Sequence, residues 1–189
     1  MKMQHQSGFS LLELLVALFV VVIITSLVTL AVNSGGQDVE LEARAKSLAD
    51  ISSFALDEAQ MRGVDMGLLI ERTEEGRYSY SWRERMPRGW QKPVVDSDIF
   101  AGRQFPLGIE LMLELENTLV DILGQVDLAL ESDGKMIEAV PQVIFYSSGE
   151  VTVGSIALRQ IETGDLLWRI EWDLLGRFTL LRRGESADE

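Results

Sequence analysis

A long run of apolar residues near the start of the chain dominates the hydropathy pattern. Residues 9–32 read FSLLELLVALFVVVIITSLVTLAV, in which Glu13 carries the single charge. The 19 residues 14–32 have no charge at all, and about 20 helical residues span the hydrocarbon core of a bilayer. The pattern predicts a transmembrane helix over residues 9–32, preceded by a short polar segment over residues 1–8. A cleaved secretory signal that ends after Ala31 is the alternative.

A second helical pattern follows in residues 38–62. Its apolar residues recur at spacings of three and four, which places them in one stripe along a helix; they are Leu41, Ala45, Leu48, Ile51, Ala55 and Ala59. Between the two patterns, NSGG at 33–36 predicts a break or soft point, because glycine costs about 1 kcal/mol in a helix interior. We predict an amphipathic continuation of the helix over residues 33–62, whose stripe packs on the chain's own sheet. A coiled-coil seam to a partner is the alternative.

From residue 63 to the end, short apolar segments alternate with turn residues, which is typical of strands. The sequence TEEG at 73–76 separates strand patterns at 68–72 and 77–82 and predicts a hairpin. Residues 83–106 hold three of the four prolines and predict a loop or an irregular insertion. Further strands are predicted over 107–116, 126–131, 142–146, 156–161, 166–173 and 178–181. The predicted fold class is α+β: a long N-terminal helix packs on antiparallel strands, in one or two sheets, of a globular domain over residues 63–189.

Composition excludes several kinds of site. The chain has no cysteine and one histidine, His5, which lies in the polar segment at the start. Disulfides, thiolate chemistry and a Ser-His-Asp triad are therefore excluded for the rest of the chain. The acidic residues within 96–98 and 131–134 indicate turns, since they lack the further ligands of a calcium loop. We predict no catalytic residue, no metal site and no cofactor. The net charge of −13 disfavours binding to nucleic acid.

Glu13 is the unexpected residue of the apolar segment, because a carboxylate at the centre of a membrane helix costs about 2.5–3.5 kcal/mol. A cut between Gly8 and Phe9 would free an α-amino group about 6 Å along the helix from Glu13. That amine cannot easily fold back onto its own Glu13, but it can pair with Glu13 of a neighbouring helix shifted along the axis. The sequence therefore predicts staggered side-by-side assembly through Glu13. A carboxylate that only reaches the headgroups is the alternative.

The sequence GFSLLE at residues 8–13 resembles the class III signal of type IV pilins and type II secretion pseudopilins. The resemblance implies that residues 1–8 are a leader peptide, which a prepilin peptidase removes before it methylates the new N-terminal Phe9. It also implies a single-pass protein of the inner membrane with its C-terminal domain in the periplasm. An anchor that is never processed is the alternative.

Two segments near the end sharpen this resemblance. PQVIFYSSGEVT at 141–152, and WRI at 168–170 followed by LGR at 175–177, are similar to general secretion pathway protein H, a family of minor pseudopilins. The resemblance implies a structural subunit at or near the tip of a type II secretion pseudopilus, without a catalytic step, that assists export of folded proteins across the outer membrane. The implied partners are the other minor pseudopilins, the major pseudopilin, the prepilin peptidase and the inner-membrane assembly platform.

Two other function classes stay open. A type IV pilus minor pilin, acting in pilus biogenesis or DNA uptake, would use the basic cluster near the C-terminus, which consists of Arg177, Arg182 and Arg183. Against it, removal of Lys2 with the leader reduces the 17 basic residues to 16, which face 30 acidic ones. A membrane-anchored envelope enzyme would be restricted to carboxylate or Ser-Lys chemistry.

Overall fold

The computed structural model describes residues 11–94, 98–122 and 140–185, and the side chains of these ranges apart from 27–37. The chain divides into two compact units, Met1–Val39 and Glu40–Glu189, and the helix α1 (Leu11–Arg62) contributes to both. A helix break at 33–36, which the glycines predicted, is not found, because α1 runs through these residues. Extending an existing helix costs less free energy than nucleating a new one, and this difference outweighs the cost of two glycines in the helix. Within the described ranges, no helix is both long enough and apolar enough to cross a membrane.

The described part of the chain after α1 forms two antiparallel sheets. The strands are β1 (Met66–Arg72), β2 (Tyr78–Met86), β3 (Gly89–Gln91), β4 (Arg103–Gln104), β5 (Ile109–Leu115), β6 (Thr118–Val120), β7 (Val143–Phe145), β8 (Gly154–Gln160), β9 (Leu166–Trp172) and β10 (Phe178–Arg182). The first sheet has the order β3-β2-β1-β7, with β4 also paired to β2, and the second has the order β10-β9-β8-β5-β6. The predicted α+β class, with antiparallel strands in two sheets, is confirmed.

The predicted hairpin around residues 73–76 is confirmed. Strands β1 and β2 pair with Ile70 opposite Tyr80, and the N–H of Gly76 donates to the carbonyl of Thr73 at 2.9 Å in the turn. Strands β5, β7, β8, β9 and β10 correspond to the segments predicted over 107–116, 142–146, 156–161, 166–173 and 178–181. The strand predicted over 126–131 lies outside the described residues.

The prediction of a loop over 83–106 is wrong at both of its ends. Strand β2 continues to Met86, and both β3 and β4 pair with it. None of the prolines interrupts a strand, because Pro87 lies between β2 and β3 while Pro93 and Pro106 follow β3 and β4. The sequence also does not predict β6. Its turn from β5 uses Glu116 and Asn117 at φ 49° and 62°, without the glycine that normally signals such a turn.

In the unit Glu40–Glu189, the apolar stripe of α1 packs against the chain's own sheets. Leu41, Ala45, Leu48, Ala55 and Ala59 are buried in one cluster with side chains of both sheets, and Ile51 packs at its margin. The predicted packing of the stripe is therefore confirmed, and the stripe is not available as a coiled-coil seam.

One face of β9 packs into the core. Ile170 and Trp172 are buried, and the half-buried Trp168 packs against the same core. Nε1 of Trp172 donates to the carbonyl of Thr152 at 2.5 Å, so the polar atom of this indole is satisfied inside the core.

Candidate anchoring and assembly site

Glu13 is the predicted site residue that the structure describes, while Gly8 and Phe9 lie outside the described residues. It lies in the first turn of α1, and its side chain is exposed. A carboxylate in the first turn is favoured by the helix dipole, by about 0.3–1 kcal/mol at an exposed position. The dipole therefore makes Glu13 compatible with its own helix, and its exposure leaves the carboxylate accessible.

The side chains that follow Glu13 are apolar on every side of the helix. All 16 side chains of residues 11–26 are exposed, and the exposed fraction is 71% for Leu12, 62% for Phe19 and 55% for Ile24. A helix that is apolar all round is ordinarily buried in a core or in a membrane. An exposed apolar surface of this continuity marks a contact site for lipid or protein.

Two hydroxyl groups in this segment are satisfied within the helix. Oγ of Ser26 donates to the carbonyl of Val22 at 2.9 Å, and Oγ1 of Thr25 donates to the carbonyl of Val21. Because both donate to the main chain one turn back, neither needs water when the segment enters an apolar environment. Glu13 is the one ionisable residue of 11–26, so it carries the main desolvation cost of such a transfer.

The basic cluster near the C-terminus is not a free cationic surface. Arg177 contacts Asp173, with 2.5 Å between Nη2 and Oδ2. Arg183 pairs with Asp165 at 3.1 Å, and the guanidinium of Arg182 lies over the ring of Trp168. Each of these three charges has a partner within the chain, which leaves little positive potential for a phosphate backbone.

Asp173 organises the turn between β9 and β10. Its Oδ1 accepts hydrogen bonds of 3.0 Å from the N–H groups of Leu175 and Arg177. The main-chain hydrogen bond from Arg177, followed by the one from its side chain, lowers the pKa of Asp173 below the ordinary 3.8. In the same turn, Gly176 packs against Leu56 of α1 with a φ of +69°.

No group of three or more histidine, cysteine, aspartate or glutamate side chains is arranged to hold a metal in the ranges that the structure describes. Of residues 96–98, only Asp98 is described, and residues 131–134 lie outside the described ranges. The arrangement of the described residues is that of a contact surface, made of an apolar helix with one carboxylate.

Comparison with known proteins gives this surface a context. Residues 3–29 match the family model of the prokaryotic N-terminal methylation motif. The chain is 28% identical over 189 residues to type II secretion system protein H of Aeromonas hydrophila, with 100% of both chains covered. It is 26% identical over 162 residues to type II secretion system protein H of Pseudomonas aeruginosa, which covers 86% of this chain and 87% of the relative.

Two solved structures have a fold similar to that of this chain. The minor pseudopilin EpsH from the type II secretion system of Vibrio cholerae superposes with a TM-score of 0.59 at 25% identity, over 78% of this chain and 99% of that one. The solution structure of GspH from Escherichia coli gives a TM-score of 0.55 over 79% of this chain and 93% of that one. Its 12% identity limits that likeness to the fold. In its methylation motif, its sequence and its fold, the chain is similar to the type II secretion system protein H relatives and to the minor pseudopilin EpsH.

Proposed function

We propose that this protein is a structural subunit of a type II secretion pseudopilus, at or near the tip, and that it assists export of folded proteins across the outer membrane. The observation that carries the proposal is the alignment with type II secretion system protein H of Aeromonas hydrophila, which covers 100% of both chains. An apolar, exposed helical segment ahead of a separate folded unit supports the same function. The helical segment serves anchoring and assembly, and the folded unit serves contacts outside the membrane.

The proposed maturation begins with a cut between Gly8 and Phe9 by a prepilin peptidase, which then methylates Phe9. The match of residues 3–29 to the methylation motif supports it. Residues 9–32 then anchor the subunit in the inner membrane as a single pass, with the C-terminal domain in the periplasm. The length and charge-free character of 14–32 support this placement.

The proposed role of Glu13 is to pair with the Phe9 amine of a neighbouring subunit. Between helices in lipid, a charge pair is worth far more than on a wet surface, although desolvation offsets much of the gain. A pair that forms only between subunits therefore favours the assembled state over the separate helix. The neighbours would be other minor pseudopilins and the major pseudopilin, with the inner-membrane assembly platform as the site of incorporation. No catalytic step is part of this function.

A pilus function with DNA uptake is the second candidate, and the partners of its basic cluster count against it. Arg177 and Arg183 are paired with carboxylates and Arg182 with an aromatic ring. A gel-shift titration at low salt, where electrostatic binding to DNA is strongest, distinguishes the two functions. We expect no shift.

Deletion in the native host tests the proposed function. We expect the deletion strain to retain folded type II substrates in its periplasm, as a secretin mutant does, and the wild-type gene to restore their secretion. Surface pili should be unchanged. A strain that secretes normally and loses pili would identify a minor pilin instead.

A further inference from the structure

The hairpin of β2 and β3 carries an excess of positive charge. Residues 83–92 hold four basic residues and one acidic residue, whereas the whole chain has 17 basic and 30 acidic residues. The acidic residue, Glu84, is fully buried and bonded to Arg62, so it does not neutralise the surface of the hairpin. The basic residues are half-buried or exposed, and we call them the basic hairpin cluster: Arg83 is half-buried, while Arg85, Arg88 and Lys92 are exposed.

Strand pairing gathers these side chains on one face of the hairpin. Arg85 lies opposite Trp90 in the register of β2 and β3, and the same register continued by one residue places Lys92 opposite Arg83. Side chains of directly opposite residues lie on the same face of a sheet, and like charges there destabilise the pairing. Arg83 and Arg85 share that face because they are two residues apart on β2. Arg88, in the turn between the strands, adds a fourth charge at the end of the hairpin.

The cluster is not neutralised within the described ranges of the chain. None of its four cations forms an ion pair with a carboxylate of these ranges, whereas six other arginines do. Nη1 of Arg83 instead donates to Oγ of Ser81 at 2.9 Å and to the carbonyl of Trp82 at 3.0 Å, and neither of these acceptors is charged. A carboxylate from another molecule would therefore offset a repulsion between like charges that the described part of the chain leaves uncompensated.

A buried tryptophan orients the exposed Arg85. Its guanidinium lies 5.2 Å from the centroid of the Trp90 ring. Trp90 is 5% exposed and packs against Gly67 of β1, where an added Cβ would lie 3.2 Å from the ring. A guanidinium stacked on a fixed ring loses less conformational freedom on binding than a free one. Its N–H groups stay available in its own plane, where they match the two oxygens of a carboxylate.

We propose that the basic hairpin cluster is a docking surface for an acidic face of a different protein. One carboxylate of that face binds the guanidinium of Arg85, and a second lies between Arg83 and Lys92. DNA, an anionic bilayer and a second copy of this chain are each repelled at long range by the net charge of −13, whereas another protein can present carboxylates locally. The inference depends neither on the proposed secretion function nor on the pairing proposed for Glu13.

The first test uses the full-length protein, labelled with nitrogen-15, in neutral detergent micelles at low salt. The probes are acetyl-Glu-Ala-Glu-Ala-Glu-amide, the same peptide with glutamine for glutamate, and a short DNA duplex. We expect the glutamate peptide to shift the amide signals of Arg85, Arg88 and Lys92 and to bind about tenfold more tightly than the glutamine peptide, and added salt to weaken it. Equal binding of the two peptides, or tighter binding of DNA at the same signals, would overturn the proposal.

Single variants locate the binding surface. Arg85→Gln, Arg88→Gln and Lys92→Gln should each weaken the glutamate peptide by about two- to fivefold, as expected for exposed ion pairs. Lys46→Gln is the matched control, because it removes the same charge from an exposed position on α1 outside the cluster; it should change binding by less than about 1.5-fold. Equal losses in Lys46→Gln and the cluster variants would contradict the proposal, since the peptide would then respond to net charge alone.

The second test asks for the partner in native membranes. A photo-crosslinking residue replaces Pro87, which is exposed in the turn and leaves all four cations in place. We expect crosslinks to a different protein, at a segment rich in Asp and Glu that mass spectrometry locates. Arg85→Gln combined with Lys92→Gln should abolish these crosslinks, and Lys46→Gln should keep them. Crosslinks to a second copy alone, to lipid alone, or to a protein in a way that the double variant does not change would overturn the proposal.

Discussion

Nη1 of Arg62, in the last turn of α1, donates a 2.8 Å hydrogen bond to Oε2 of Glu84 in β2. Glu84 is fully buried, and its Oε1 has no partner among the described residues. Arg62 also approaches Glu58 of its own helix, with 3.6 Å between Nε and Oε1. The pair joins the end of the helix to a central strand of the first sheet, and it supplies the main compensation for burying a carboxylate there.

Glu84→Gln tests this pair at constant side-chain shape. We expect it to lower the free energy of unfolding by about 2–3 kcal/mol, somewhat below the usual cost of breaking a buried pair, because Arg62 keeps Glu58 and partial exposure. Glu40→Gln is the matched control, since Glu40 pairs with Arg44 on the surface, where a pair contributes about 0–1 kcal/mol. Urea unfolding followed by tryptophan fluorescence measures both. Equal losses of unfolding free energy in the two variants would show that the buried pair of Glu84 stabilises the fold no more than the surface pair of Glu40.

Gly176 should tolerate substitution less well than Gly164. Both have positive φ, +69° and +71°, but a Cβ on Gly176 would clash with Leu56 while one on Gly164 meets open space. We expect Gly164→Ala to cost about 1–2 kcal/mol for the left-handed backbone, and Gly176→Ala about 1–3 kcal/mol more for overpacking. Thermal unfolding of the two variants gives the comparison. Similar midpoints would mean that α1 does not restrain the turn.

The lowered pKa of Asp173 fixes the sign of its contribution to the pH dependence of stability. Because hydrogen bonds from Arg177 lower the pKa of Asp173 in the folded state below 3.8, its contribution to stability is present above pH 3.8 and is lost as the pH falls through the folded pKa. A carbon-13 NMR titration of the carboxyl should give a midpoint below 3.8. Arg177→Gln should raise that midpoint, and Arg182→Gln should leave it unchanged. A wild-type midpoint at or above the ordinary value would refute the assignment.

Elements with a local signal could be predicted from the sequence. The turn at 73–76 and the stripe from Leu41 to Ala59 are such signals, and both predictions agree with the structure. Strands β3 and β4 escape prediction because two or three residues carry no periodicity, and their pairing with β2 fixes them. The turn at Glu116 and Asn117 escapes because it uses positive φ without glycine.

Individual residues also differ in whether the sequence reveals their role. Glu13 stands out in the sequence because a carboxylate interrupts an apolar run. The pair between Arg62 and Glu84 joins residues 22 positions apart, and no local pattern links them.

Processing can be measured independently of assembly. We expect the mature protein from native membranes to begin at Phe9 and to carry one N-methyl group, which intact-mass measurement detects. Gly8→Val should leave the precursor uncut, because a β-branched side chain would crowd a peptidase cleft that fits glycine. A mature chain that starts after Ala31 would instead identify residues 1–31 as a secretory signal and remove the anchor.

Glu13→Ala addresses the assembly claim itself. Removal of an intramembrane carboxylate should make insertion of the helix easier by about 1–3 kcal/mol, so any defect must arise after insertion. We expect normal abundance and a normal N-terminus, with loss of contacts to other subunits. The contacts of Glu13→Asp should lie between those of the wild type and Glu13→Ala, since its carboxylate is about one methylene short of the partner amine. Thr25→Ala is the control, because the Thr25 hydroxyl donates within its own helix.

The most direct measurement is in vivo photo-crosslinking from position 16 of α1, with secretion of a type II substrate followed in the same cells. The charge-pairing account predicts that Glu13→Ala loses the crosslinks to other pseudopilins and the secretion that accompanies them, while Thr25→Ala keeps both. If Glu13→Ala crosslinks and secretes like the wild type, Glu13 does not pair with a neighbouring Phe9 amine, and the account of assembly is contradicted.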